Sequence, residues 1–351
     1  MFINVRFGRL LIPTLLCAAA ISAQQNTAPA PPANSKITLD VVVSPKSGPP
    51  VADLQQQDFT VLDNNSPQAI TSFKVVTGRE APIQVVLVID AVNASYQTVS
   101  VARPEIDRFL RAEGGRLAYP IALVLFTDKG LQSLGNFSTD GNALSAALDQ
   151  TDVGLRSISR DAGFYGATER LDLSIRTLGQ LATNLGSVQG RKIMLWVSPG
   201  WPLLSGPRVQ LDSKQQQMIF ANIVDLSTKL RSARVTLYNI NPQGNTEALG
   251  NVAYYKDFVK GVSKPSQVAV GDLGLPVLAT QSGGEVLNFN NDIASLLQEC
   301  ISDSVPYYEI SFDPVPSDKR DEYHHLEIKL AKPGLTARTR QGYYAQPSRA
   351  N

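Results

Sequence analysis

The chain has 351 residues, 32 of them basic and 31 acidic, for a formal charge of +1. That balance argues against a nucleic-acid partner, which usually needs a basic face. A hydrophobic content of 43% supports a real core, and the length predicts two domains or one large one.

Residues 1–23 read as an export signal. Arg6 and Arg9 precede an apolar stretch from Leu10 to Ile21, too short to span a bilayer, and cleavage is expected after Ala23. A lipoprotein reading at Cys17 conflicts with the bulky Leu16 before it and with the position of Cys17 inside the apolar run. The mature chain is then expected outside the cytoplasm, periplasmic or extracellular, with no transmembrane segment. Only Cys300 survives processing, so no internal disulfide is expected. Cys300 falls in a helical apolar pattern with Ile293, Leu296, Leu297 and Ile301, which predicts a buried, inert thiol.

Residues 24–35, rich in Pro, Ala and Asn, read as a linker. Residues 36–80 form a small β segment, with strands predicted over Ile37–Val43, Phe59–Leu62 and Ile70–Val76. From residue 81 to residue 305 strands alternate with helices. The strands are expected over Ile83–Asp90, Pro120–Asp128, Arg191–Ser198, Val235–Asn241 and Gly284–Phe289. The helices are expected over about Val99–Glu113, Gly141–Gln150, Ala167–Leu185, Ser213–Arg231, Gly271–Gln281 and Asp292–Ser304. This rhythm predicts an α/β domain, a mostly parallel sheet with helices on both faces. Residues 306–346 return to β, with Tyr307–Phe312, Tyr323–Leu330 and Leu335–Arg340. Two or three strands bury little surface alone, so the two β ends are expected to pair into one β-sandwich.

The run Ile83–Asp90 carries most of the functional information. Val85 to Ile89 is continuously apolar, as in a strand buried on both faces, and ends on Asp90. An acidic residue there sits where open α/β sheets bind ligands.

Several segments, in order, carry a resemblance. They are Ile37–Val43, Val51–Leu54, Asp58–Asp63, Val85–Asp90, Gly190–Gly200, Leu278–Glu285, Tyr307–Phe312 and Gly342–Ala345. The chain resembles the von Willebrand factor type A (VWA) fold and, more narrowly, the secreted VWA-related proteins of acidobacteria. The resemblance implies a Rossmann-like domain that can hold a divalent ion, usually magnesium. The ligands would be an Asp-x-Ser-x-Ser loop, a Thr from a second loop and an Asp from a third. A hard cation wants several such oxygens.

This sequence departs from that pattern. Asp90 is kept, but Val92 and Ala94 stand at the two Ser positions, and Ser198-Pro199 stands where the third-loop Asp would be. The expected role of Asp90 is therefore a strand-end cap or a hydrogen bond to a loop amide, with no cofactor. The alternative is a remodelled magnesium site drawing on Asp90, Asn93, Asp128 and Thr168, with Ser95 nearby.

Other candidates carry less. His324 and His325 are the only histidines and are adjacent in a strand, so they face opposite ways and cannot chelate together. They read as a solvated pair. Ser198 lacks a nucleophile elbow, and Gly283-Gly284 reads as a helix stop. Trp196 reads as core. Trp201 and Ser198 are the candidates for a partner-binding edge, the alternative being that Trp201 folds back onto the core. The function expected is a non-catalytic, exported VWA-like module for protein or cell-envelope interaction, with a degenerate metal site. A metal-dependent adhesion module and a hydrolase of unknown substrate are the alternatives.

Overall fold

A strand with no polar face must be covered on both sides, and the centre of the molecule is built around one. In the computed structural model of the chain, Ile83–Asp90 (β5) is buried along its length except at Gln84. The structure describes residues 36–78, 83–151, 163–202, 204, 211–243, 255, 261–267, 273–288, 290–302, 305–315, 317 and 319–345. All fall within one compact unit, Ala33–Asn351. The expected export signal and linker lie outside the described residues.

Beside β5 stand β6 (Arg116–Thr127), β7 (Gly130–Ser133), β8 (Ser138–Asp140), β9 (Arg191–Val197), β10 (Val235–Ile240) and β11 (Val286–Leu287). The order is β11-β10-β9-β5-β6-β7, with β8 also on β6. The strands from β11 to β6 run parallel, and β7 and β8 are antiparallel additions. Neither β7 nor β8 was expected, because 4 and 3 residues are too few to show a period.

Six α-helices are described: α1 (Tyr96–Leu110), α2 (Gly141–Asp149), α3 (Gly163–Gly186), α4 (Ser213–Ser232), α5 (Leu275–Gln281) and α6 (Ile293–Ser302). The strand period of two divides the core. Val85, Leu87 and Ile89 pack with Ile106 and Phe109 of α1 and Leu296 and Leu297 of α6. Val86 and Val88 face Leu171 and Leu178 of α3, Ile223 of α4 and Leu278 of α5. The chain is thus an α/β protein with helices on both faces of a mostly parallel sheet. Local chemistry sets the helix ends. The Ser95 hydroxyl accepts the Thr98 N–H at 2.9 Å, so α1 starts earlier than the apolar pattern suggests. Asp212 and Gln215 cap α4 reciprocally. Gly283 closes α5 at φ +86°, as its reading as a stop requires.

The two chain ends interleave. β1 (Ile37–Pro45), β2 (Phe59–Asp63), β3 (Ser66–Gln68) and β4 (Ile70–Val76) come from one end. β12 (Tyr307–Phe312), β13 (Glu322–Leu330), β14 (Leu335–Arg338) and β15 (Gly342–Ala345) come from the other. They form antiparallel sheets of order β14-β1-β12-β4 and β15-β13-β2-β3. Leu39, Val41, Phe59, Val61, Tyr308, Ile310, Phe312 and Leu326 fill a common core. Each sheet takes strands from both ends, which is how segments too small alone become stable.

The sandwich meets the amino-terminal ends of β9 and β10. The Arg191 guanidinium lies 5.0 Å over the Tyr307 ring. Arg234 pairs with Asp40 and, at 2.7 Å, with Glu309. Asp90 is at the opposite, carboxyl end of the parallel sheet. Among the described residues no helix is long and apolar enough to cross a membrane.

Candidate functional site

Asp90 ends β5 and is fully buried. Its Oδ1 accepts the backbone N–H groups of Val92 at 3.0 Å and Asn93 at 2.8 Å. Its Oδ2 accepts Asn93 Nδ2 at 2.9 Å, Trp196 Nε1 at 3.0 Å and the Ser198 hydroxyl at 2.9 Å. A carboxylate offers about four lone-pair sites, so five donors use its whole accepting capacity. Burial raises the Asp90 pKa above its ordinary value, and the bonds from Asn93, Trp196 and Ser198 pull the other way.

The donors come from several elements. Asn93 Nδ2 also donates to Ser174 Oγ on α3 at 2.9 Å, and the Ser174 hydroxyl donates to the Arg170 carbonyl at 2.7 Å. Ser198 accepts the Gly200 N–H at 3.1 Å. Its carbonyl accepts Asn239 Nδ2 of β10 at 2.9 Å. Trp196 stacks edge-on with Phe126 at 5.8 Å and with Trp201 at 6.0 Å. Asp90 therefore joins β5, the 91–95 loop, β9 and, through Asn93, α3. One acceptor remains over: Asn93 Oδ1 is buried without a hydrogen-bond partner among the described residues.

The other residues singled out in the sequence are placed as follows. Asn93 and Ser198 touch Asp90 directly. Thr168 is half-buried on α3 and spends its hydroxyl on the Phe164 carbonyl at 3.0 Å. Asp128 is half-buried just beyond β6, two residues past Phe126, the strand partner of Asp90. Among the described residues no group of three or more His, Cys, Asp or Glu side chains could hold a metal ion.

Every group around the two Asp90 oxygens presents a hydrogen to them, and Val92 and Ala94 are buried apolar side chains where a metal ion would need oxygens.

Trp201 corrects one expectation. It is only 4% exposed and packs on Trp196, so it belongs to the core and offers no surface to a partner. Ser198, its companion in that edge, is likewise buried. The exposed aromatics at this end are elsewhere: Tyr96 at 70% opens α1, and Tyr165 at 84% stands in the first turn of α3 beside Phe164. Ten residues of α3 separate Phe164 from Ser174, about 15 Å at helical rise, so this tip projects beyond the Asp90 level. Tyr96 and Tyr165 were not singled out in the sequence. The available signal was aromatic residues inside the first helical turns, where amphipathic patterning gives them no core to face.

His324 is a second correction. It is buried in the sandwich, not solvated. Its Nδ1 lies 2.8 Å from Asp63 Oδ1, and the Tyr343 hydroxyl donates to Asp63 Oδ2 at 2.6 Å. The adjacency rule held, since the half-buried His325 points the other way.

No family model matches the chain, and no curated protein matches it. Among solved structures it is similar to the manganese-loaded TRAP protein of Plasmodium vivax, at 11% identity over 78% of this chain and 97% of that one, with a TM-score of 0.35. It is similar to the pilus adhesin SpaC of Lactobacillus rhamnosus GG, at 10% identity over 82% of this chain and 42% of that one, with a TM-score of 0.37. It is also similar to the N-terminal domain of TFIIH p34, at 12% identity over 63% and 97%, with a TM-score of 0.28. The fold rests on the strand order and packing described above.

Proposed function

We propose that the chain is an exported, non-catalytic VWA-type module that binds a protein or cell-envelope component, with Asp90 as a structural hub in place of a metal ligand. The observation that supports this is the saturation of both Asp90 oxygens by five N–H and O–H donors. A partner would meet the carboxyl end of the sheet at Tyr96, Phe164 and Tyr165, since exposed aromatics supply the anchors of protein interfaces. The test is affinity capture from the native envelope with the wild-type chain and with the Tyr96→Ala/Tyr165→Ala double variant. Loss of a captured protein in the variant supports the surface; equal capture refutes it.

A second reading, a metal-dependent adhesion module, draws on Asn93 Oδ1, which has no hydrogen-bond partner among the described residues and would be open to a cation. Calorimetry with magnesium, manganese and calcium separates the two. Tight binding that Asp90→Ala abolishes would favour the metal.

A further inference from the structure

Five cations gather where the α/β body meets the sandwich; Asp40 and Glu309 face them, and Asp63 is held by the hydroxyl of Tyr343, the ring under Arg231. Arg191 lies over the Tyr307 ring. Lys192 donates to the Val188 carbonyl and, at 2.9 Å, to the Ala233 carbonyl. Arg234 takes both Asp40 and Glu309. That leaves Arg231 and Arg340.

Arg231, in the last turn of α4, sits 5.9 Å over the Tyr343 ring, and its Nε is buried without a hydrogen-bond partner among the described residues. The helix end offsets part of its charge. Arg340, in the crossing from β14 to β15, has no such relief. It is only 7% exposed, and its Nη1 is buried without a partner among the described residues. The carboxylate whose charge reaches it, Asp40, is already held by Arg234. Burial, followed by repulsion from Arg231, brings the Arg340 pKa down to about 9.

Among the described residues, three more buried polar atoms of the same seam lack partners: the hydroxyls Tyr323 Oη and Thr339 Oγ1, and the acceptor Gln281 Oε1. Tyr323 acts electrostatically on Arg340, Thr339 precedes it in the chain, and Gln281 Nε2 reaches Tyr344, whose ring stacks on Tyr323 at 5.2 Å.

Buried donors without acceptors are costly, and an unpaired buried ion costs several kcal/mol. Water would satisfy the donors and leave the charge. A compact anion with several oxygens satisfies both, and guanidinium forks match carboxylate and phosphate geometry. We propose that Arg231 and Arg340, with the Tyr323 hydroxyl, form a buried site for a small oxyanion, phosphate or a short carboxylate, which ties α4 to the β14–β15 crossing. The site lies at the sandwich end of the sheet and is independent of any role at Asp90.

The test is thermal unfolding of the full chain at constant ionic strength, with sodium phosphate or sodium acetate replacing sodium chloride. The wild-type midpoint is expected to rise by roughly 5 °C near saturation, and the arm that shifts it identifies the oxyanion class. Arg340→Met is expected to abolish the shift while folding normally without oxyanion. General salt effects move both proteins alike, so only the difference counts. Equal shifts in wild type and variant overturn the site. If Arg340→Met does not fold, Arg231→Met takes its place, and calorimetric titration of phosphate and acetate into the wild type decides: no heat with either overturns the proposal.

Discussion

Replacing Asp90 with Asn tests the hub directly. The side chain keeps its shape but trades one acceptor oxygen for an NH2 donor. If the remaining oxygen faces Asn93 Nδ2, Trp196 and Ser198, the new NH2 meets the amides of Val92 and Asn93. The opposite orientation turns the NH2 toward the indole N–H and Asn93 Nδ2. At least two fixed donors lose their acceptor either way, at about 1–3 kcal/mol each. Removing a buried charge that burial already disfavours returns part of this, so the expected net loss is about 2–4 kcal/mol. Asp90→Ala removes all five bonds; the Ser198 hydroxyl can turn elsewhere, and the loss is on the order of 4 kcal/mol. Urea unfolding followed by tryptophan fluorescence suits the measurement, because both tryptophans, Trp196 and Trp201, lie at the site. If both variants fall within about 1 kcal/mol of wild type at unchanged m-value, the carboxylate is not the hub. A wild-type midpoint raised by magnesium, and unmoved in both variants, would assign Asp90 to a metal instead.

The raised Asp90 pKa fixes a sign. Between the ordinary value of 3.8 and the folded value, the native state holds a proton that the unfolded state has released. The contribution of Asp90 to stability is therefore full below 3.8 and lost as pH rises through the folded value, so the stability gap between wild type and Asp90→Ala should narrow with rising pH in urea titrations. Arg234→Met leaves Asp40 and Glu309 facing each other at the sandwich interface; a loss of about 3 kcal/mol is expected in the same assay, and no loss would show that the pairs are idle. Gly284→Ala would place a methyl 1.9 Å from the Leu237 carbonyl, so a loss on the order of 3 kcal/mol or failure to fold is expected, read from the thermal midpoint and soluble yield.

The α/β rhythm was legible because each buried strand is a run with no polar face and each helix keeps a 3.6 period. The pairing of the two chain ends followed from size, since neither end could bury a sheet alone. What stayed hidden depends on contacts between distant residues. Trp196 read as core, and it is core; that its N–H lands on Asp90 follows from the parallel register of β5 and β9, with Val88 opposite Trp196. Ser174 sits in an apolar stripe of α3 and looks like a tolerated small residue until Asn93 is placed beside it. For His324 strand alternation separates the two histidines but does not say which face is inside. Asp63, its partner 261 positions away, decides that.

The buried Asp90 and the loop around it are consistent with each other. A carboxylate buried at a strand end needs compensation, which a divalent ion or hydrogen-bond donors can supply. With Val92 and Ala94 in the loop, a cation would find few oxygens, so the compensation must come from N–H and O–H groups. Those groups are supplied by residues that a metal site would not require: an indole in β9, an amide side chain at position 93, and two backbone N–H groups turned inward by the loop. Each makes the oxygens less available to an ion. The arrangement thus closes the carboxylate and pins the 91–95 loop to β9 and, through Asn93, to α3. Under the proposed function, partner contact falls to the aromatic side chains on the rim.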